Sequence, residues 1–120
     1  MIRGVRGAIT ITSDCESDII SSTEILLREM INKNGIVPVQ VASVFISATE
    51  DIQSSFPAKA LRKWNEWKYV PVLSMHEMHV KDSLKKCIRI MIHWNTEKNQ
   101  DEILHIYMRE AKNLRPDLLP

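Results

Sequence analysis

The chain has 120 residues, of which 44% are hydrophobic and 26% are charged, and these proportions are typical of a globular protein with one domain. The formal net charge is only +1, so the chain lacks the strong positive field that nucleic acid or an anionic membrane surface would require of a partner. Two isolated cysteines, no signal-peptide pattern and no apolar run of ~20 residues indicate a single cytoplasmic domain over residues 1–120.

A strand is predicted at the start of the chain, over residues 2–12. Its side chains alternate, so Val5 and Ile9 share one face while Arg6 lies on the other. Two glycines interrupt this strand, which indicates that another backbone or a ligand approaches it closely.

The clearest helix follows over residues 13–35. Its apolar stripe repeats at helical spacing and consists of Ile19, Thr23, Leu26, Leu27 and Met30. Ser13 or Ser17 is predicted to cap the start of the helix, and Gly35 is predicted to end it.

The rest of the chain is predicted to complete one sheet. The expected segments are a strand at 37–49, a short helix at 54–67, a strand at 69–73, a loop at 74–84, a strand at 85–95, a short strand at 103–110 and an irregular tail at 113–120. The order β-α-β-α-β-β, with one short strand more, predicts an α+β or mixed α/β fold. One long helix then covers only one face of the sheet.

The predicted strand KKCIRIMIHWN, residues 85–95, places Arg89 at a position where an apolar core would not accommodate a charged side chain. Its isoleucines and Trp94 share one face, whereas Arg89 shares the other with Cys87 and Met91. Burying an arginine without an anion is costly, so a solvated or core role explains Arg89 poorly. Half-apolar, half-polar faces that carry arginine are typical of subunit interfaces, and we therefore expect an oligomer.

The motifs of common nucleophiles, phosphate loops and dinucleotide sites do not occur in the sequence. His76 and His79 flank Glu77, but their spacing is not that of a zinc-binding HExxH helix. Exposed loop histidines are the better interpretation, and we predict no metal site.

Five cations stand out as candidate ligand-binding residues: Arg6, Lys59, Arg62, Arg89 and Arg115. Lys59 or Arg62 taken singly is more simply a solvated surface charge. If the five converge, their guanidinium groups suit a small molecule with carboxylates, because the planar fork matches two carboxylate oxygens. The residues alone therefore predict an oligomeric α+β domain that binds a small dianion.

Eight short stretches carry a resemblance to a known family. They are IRGVRGA, SAT, FPAKALR, WKYVPV, M-x-EM, LKKCIRIM, IY and LRPDL, in order across nearly all 120 residues. Their order and spacing resemble those of the AroH-type chorismate mutases. The resemblance implies a homotrimer that forms a pseudo-α/β barrel, with sheets inward and active sites between subunits.

The reaction implied by the resemblance is the isomerisation of chorismate to prephenate, on the route to phenylalanine and tyrosine. This intramolecular [3,3] shift needs no metal and no cofactor. By resemblance, Arg89 donates to the ether oxygen of the substrate and Glu77 lies near its hydroxyl and ring. Arg6 and Tyr107 match residues that bind a carboxylate, and Arg115 matches a tail residue that closes over the site.

Two further groups of substrate-binding residues are implied by the resemblance. The wall that an adjacent subunit contributes matches Phe56, Ala58, Lys59 and Arg62. The substrate-binding turn matches Leu73, Ser74, Met75, His76 and Glu77. Here the chain departs from the family, because a common Thr-Cys pair reads Leu73-Ser74, and the leucine offers no hydroxyl.

Two alternatives belong to other classes of protein. YjgF-like trimers are built similarly and also bind carboxylates between subunits, as binders or deaminases, but the LKKCIRIM and FPAKALR stretches favour the mutase. A nucleic-acid-binding module is disfavoured by the net charge of +1 and by the lack of a basic stripe with stacking aromatics.

Overall fold

A computed structural model describes residues 1–118 of the chain. Its strands and α-helices are β1 (Ile2–Thr10), α1 (Glu16–Asn34), β2 (Val41–Ala48), α2 (Lys59–Arg62), β3 (Val72–His76), β4 (Cys87–Asn95) and β5 (Ile106–Met108). This order confirms the predicted α+β class with one long helix. Of the helices in the described residues, none combines the length and the apolar composition that a membrane crossing requires.

The strands form one mixed sheet in the order β3-β2-β4-β1-β5. The central strand β4 runs antiparallel to both of its neighbours, β1 and β2. The two outer strands pair in parallel, β3 with β2 and β5 with β1. Residues directly opposite each other in these ladders point to the same face, so each face can be followed across the whole sheet.

Helix α1 packs on one face of the sheet and forms the main core with it. The buried side chains of the helix include Ile19, Thr23, Leu26, Leu27 and Met30, and those of the sheet include Val5, Ile9, Ile88, Ile90 and Ile92. The predicted helical stripe and the predicted isoleucine row of β4 are therefore both confirmed. The opposite face of the sheet has no long helix among the described residues.

Gly7 lets α1 approach β1 closely. A Cβ atom at this position would overlap Met30 Sδ and lie 3.1 Å from Leu26 Cδ1. The glycine in this strand is thus explained by helix packing on the core face.

The ends of α1 confirm one predicted cap and correct the other. Gly35 adopts the left-handed conformation (φ 74°) and closes the helix, as predicted. The N-cap is Cys15 and no side chain caps the helix, so the prediction of Ser13 or Ser17 is wrong. The Asp18 carboxylate instead accepts hydrogen bonds from the backbone N–H groups of Thr12 and Ser13, both at 3.0 Å. A residue in the first turn of the helix thus fixes the segment that precedes the helix.

Two elements predicted after β2 have the wrong bounds. The strand predicted at 69–73 is Val72–His76, because β2 offers a parallel partner as far as the pair Ala48 and His76. The predicted loop therefore begins after His76. The short helix predicted at 54–67 is reduced to one turn, Lys59–Arg62, followed by a 3-10 turn.

The short strand predicted at 103–110 is confirmed as β5, but only over Ile106–Met108. The chain after it forms two 3-10 turns, Arg109–Asn113 and Pro116–Leu118. The last two residues of the predicted tail, 119–120, lie outside the described residues.

We expect Gly7→Ala to lower the free energy of unfolding by about 1–3 kcal/mol, because the added methyl group overpacks the contact with Met30 and Leu26. Urea unfolding followed by circular dichroism measures this loss. Gly4→Ala is the matched control in the same strand, since its Cβ would meet only Met91 Sδ, at 3.0 Å, on the opposite face. Equal losses for the two variants would contradict the packing role of Gly7.

Candidate active site

The face of the sheet away from α1 is covered at one end and open at the other. At the covered end Ala8, Cys87 and Tyr107 form a small buried cluster with Ala111 of the tail. At the open end the exposed hydrophobic residues are Phe45, Leu73 and Met75, which are between 42% and 57% exposed. We call this side of the sheet the open face.

Arg89 lies in the middle of a row that crosses the open face. The ladders place Met75, Ser47, Arg89, Ala8 and Tyr107 opposite one another, one residue from each strand. The two immediate neighbours of Arg89 in this row are a serine and an alanine. Their small side chains leave space around the guanidinium, which a larger pair would fill.

A cleft of about 370 Å³ opens over this row, and its size is within the range of small-molecule sites, about 300–1,000 Å³. We call it the arginine cleft. The residues that line it include Arg6, Phe45, Ser47, Met75, Arg89, Met91, Tyr107, Leu114 and Arg115. Three of the five cations predicted from the sequence therefore meet in one cleft.

Glu77 fixes the position of the Arg89 side chain. Arg89 Nε lies 2.7 Å from Glu77 Oε1. The Glu77 backbone N–H donates to Ala48 O at 2.8 Å, which ties the residue to the end of β2. The side chain of Arg89 is 44% exposed, so part of its guanidinium still faces the cleft.

Two titratable neighbours of the cleft are neutral. Burial raises the pKa of the Cys87 thiol to about 11, against an opposing effect of Arg89. The Arg6 backbone N–H donates to His105 Nδ1 at 3.0 Å. Burial lowers the pKa of His105, and the charges of Arg6 and Arg115 lower it further, so this histidine accepts the hydrogen bond in its neutral form.

Arg115 reaches the cleft from the tail, but its guanidinium is already paired. It donates to both Asp117 carboxylate oxygens, at 3.0 and 2.9 Å. This hydrogen bonding raises the pKa of Arg115 and lowers the pKa of Asp117. A ligand carboxylate would have to replace Asp117 to bind Arg115 through the same fork.

The residues predicted to form a wall lie elsewhere. Phe56, Ala58, Arg62 and Ser74 line a second cavity of about 600 Å³ beside α2, which we call the outer hollow. Phe56 and Ser74 also line an adjoining cavity of about 580 Å³, together with Lys59, Met75 and His76. Within residues 1–118, Met75 is the only residue that lines both the cavity of about 580 Å³ and the arginine cleft, and the outer hollow shares no lining residue with that cleft.

The predicted substrate-binding turn divides between the two faces of β3. Leu73 lies opposite Phe45, and both point to the open face. Ser74 faces the outer hollow, and the His76 ring Nε2 lies 3.3 Å from Ile52 O. Within one subunit, Glu77 therefore contacts Arg89, whereas Ser74 lines the outer hollow with the residues predicted to form the wall.

Acidic residues at the start of α1 hold the segment that carries Phe56 and Lys59. Asp14 Oδ1 accepts from the backbone N–H groups of Gln53 and Ser54 at 3.0 and 3.1 Å. Lys59 Nζ donates to Glu16 Oε2 at 2.8 Å, and this bond is the main cause of the lowered pKa of Glu16. The sequence analysis did not identify these contacts, because they join segments about forty residues apart.

Comparison with known proteins decides the family. The family model described as chorismate mutase type I matches residues 2–118. The chain belongs to the type I chorismate mutase family. Among the curated relatives of the chain, chorismate mutase AroH of Bacillus subtilis (strain 168) is 47% identical to it, over 98% of this chain and 93% of its own length. Chorismate mutase AroH of Thermus thermophilus is 44% identical over 98% of this chain and 97% of its own length.

A solved structure of the same family has the same fold. The chorismate mutase from Clostridium thermocellum Cth-682 matches with a TM-score of 0.90 at 37% identity, over 92% of this chain and 98% of that one. The resemblance to AroH-type chorismate mutases is confirmed, and the assignment favours it over the YjgF-like alternative.

We expect the two thiols of this chorismate mutase family member to differ sharply in reactivity. Cys15 is exposed and hydrogen bonds, led by that from Ser17, lower its pKa, whereas burial raises the pKa of Cys87 to about 11. Iodoacetamide at pH 8 should label Cys15 in the native protein, and Cys87 only after unfolding, as mass spectrometry of peptides will show. In the control variant Cys15→Ser, rapid labelling of the native protein would contradict the burial of Cys87.

Proposed function

We propose that the protein isomerises chorismate to prephenate by an intramolecular [3,3] rearrangement in the arginine cleft. One C–O bond breaks while one C–C bond forms, so the atoms of the substrate are all retained in the product. The family assignment and the solved relative support this activity, that of an isomerase. The observation that carries the proposal for the site is the half-exposed Arg89 guanidinium, held by Glu77 in a cleft with Arg6 and Arg115.

Electrostatic stabilisation by Arg89 and Glu77 is the proposed source of catalysis. As the C–O bond stretches, negative charge develops on the ether oxygen and positive charge on the ring. Arg89 would donate to that oxygen, and the Glu77 carboxylate would lie near the ring. Because the ion pair already holds the guanidinium, little reorganisation is needed in the transition state.

Arg6, Tyr107 and Arg115 are the proposed carboxylate-binding residues. They line the same cleft, and the Arg6 backbone is fixed by His105. Binding both substrate carboxylates would hold the reactive conformer, which lowers the entropic part of the barrier. For Arg115 we propose an exchange of partners, in which a substrate carboxylate replaces Asp117 and the tail closes over the site.

A neighbouring subunit is proposed to complete the site. Phe56, Ala58, Lys59, Arg62 and Ser74 line cavities on the far side of β3 from their own arginine cleft. This placement supports a role as the wall of another subunit's site. Exposed hydrophobic residues on the open face favour the same arrangement, because contact with a second copy would remove them from water.

The proposed assembly is a homotrimer with the open faces directed inwards, in which each subunit gives its cleft to one neighbour and its wall to the other. A closed ring of this kind uses one heterologous interface three times. We place the enzyme in the cytoplasm, in phenylalanine and tyrosine biosynthesis; its two free cysteines fit a reducing compartment.

The activity is tested by following the loss of chorismate absorbance with purified protein and no added cofactor. The proposal predicts first-order consumption with prephenate as the product. If chorismate disappears no faster than in buffer, the mutase proposal is wrong; binding without turnover would favour the YjgF-like alternative.

We expect Arg89→Ala to raise the activation barrier by about 3 kcal/mol or more, because a preorganised donor to the developing charge is lost. The loss should appear mainly in kcat, as steady-state kinetics on chorismate will show. Arg28→Ala is the control, since Arg28 pairs with Glu24 on the surface of α1. An Arg89→Ala variant with normal kcat and only a raised KM would contradict the transition-state role.

Sedimentation equilibrium tests the proposed trimer, whose mass should be about three times the 13.9 kDa of the chain. Phe45→Glu should dissociate it and abolish activity, because the charge would be buried in the interface. Val39→Glu is the control, since Val39 is an exposed hydrophobic residue outside the strands of the sheet. An active monomer would refute the shared site.

A further inference from the structure

The outer hollow extends beyond the residues that the family resemblance assigns to the wall. Phe56, Arg62 and Ser74 line one part of it, and the same cavity of about 600 Å³ continues to Lys68. Lys68 belongs to the WKYVPV stretch before β3, for which the family resemblance implies no binding role.

The charged residues that line the outer hollow are both cations, Arg62 and Lys68. Across residues 1–118, no carboxylate lies within ion-pair distance of either one. Other cations of the same segment are paired: Lys59 with Glu16 and Lys63 with Glu24. The positive charge of the outer hollow is thus available to an anionic ligand.

Aromatic and aliphatic side chains also line the outer hollow. They include the buried Trp67 and the partly buried Trp64 and Val72. Because Arg62 and Lys68 are both exposed to solvent, their attraction for a carboxylate is that of a surface charge pair, which salt weakens.

We propose that Lys68 is a further substrate-binding residue, which extends the wall presented to the neighbouring subunit and attracts a substrate carboxylate together with Arg62. This inference rests on the proposed function, because the substrate is a dianion. Lys68 does not act on the breaking bond; it contributes to the binding of substrate and transition state alike. Its loss should therefore raise KM and leave kcat unchanged.

The test compares Lys68→Gln with Lys63→Gln in the intact protein. Both variants lose one positive charge from the same segment, but Lys63 does not line the outer hollow and is paired with Glu24. We expect Lys68→Gln to raise KM for chorismate about threefold at low salt, as for an exposed charge pair, with kcat within about twofold. Lys63→Gln should match the wild type, and Lys68→Arg should restore KM.

Salt and folding controls keep the result specific. The difference in KM between wild type and Lys68→Gln should shrink as ionic strength rises to about 1 M, where charges are screened within about 3 Å. Unchanged melting temperatures will show that the variants fold normally. Equal KM values for Lys68→Gln and Lys63→Gln, or a loss confined to kcat, would overturn the inference while leaving the mutase activity intact. Absence of turnover in the wild type would instead refute the proposed function.

Discussion

The central strand β4 must satisfy two environments at once, and the rest of the structure depends on this constraint. Its isoleucine row is buried under α1, the one long helix of the described chain. The alternate row, with Arg89 at its centre, then has to face the other way. No second long helix in residues 1–118 covers that face, so the arginine lies in a cleft instead of a core. Helix packing on one side thus creates the candidate site on the other.

Electrostatic balance distinguishes the cleft from a simple cationic patch. Arg89 is paired with Glu77 and Arg115 with Asp117, so two of the cleft's three arginines have a carboxylate partner before any ligand binds. The first pair is anchored in the sheet through Ala48, whereas the second belongs to the tail. The anchored pair suits a reaction that needs a fixed field. For the tail pair, the proposed exchange of Asp117 for a substrate carboxylate suits binding and closure.

Local patterns made three features predictable: the strands, the apolar stripe of the helix and the position of Arg89 on the face opposite the isoleucines. They were predictable because alternation and helical periodicity depend on near neighbours alone. The end of β3 was not predictable, since Ser74, Met75 and His76 become strand through their partners in β2. The meeting of Arg89 with Ser47 and Ala8 depends on register across three strands, which one sequence does not reveal. The roles of Glu77 and Tyr107 came from family resemblance. Lys68 lies in the WKYVPV stretch, but nothing in the sequence indicated that it binds a ligand.

The claim that two subunits share each site is tested most directly by mixing two defective subunits. Arg89→Ala damages the cleft and Arg62→Glu the wall, so each variant alone should be nearly inactive. Random mixing in equal amounts gives about a quarter of sites an intact cleft from one subunit and an intact wall from its neighbour. The account therefore predicts recovery of about a quarter of the wild-type kcat per site after co-expression or refolding together. If the mixed protein forms hybrid oligomers yet stays as inactive as its parents, the site does not span two subunits.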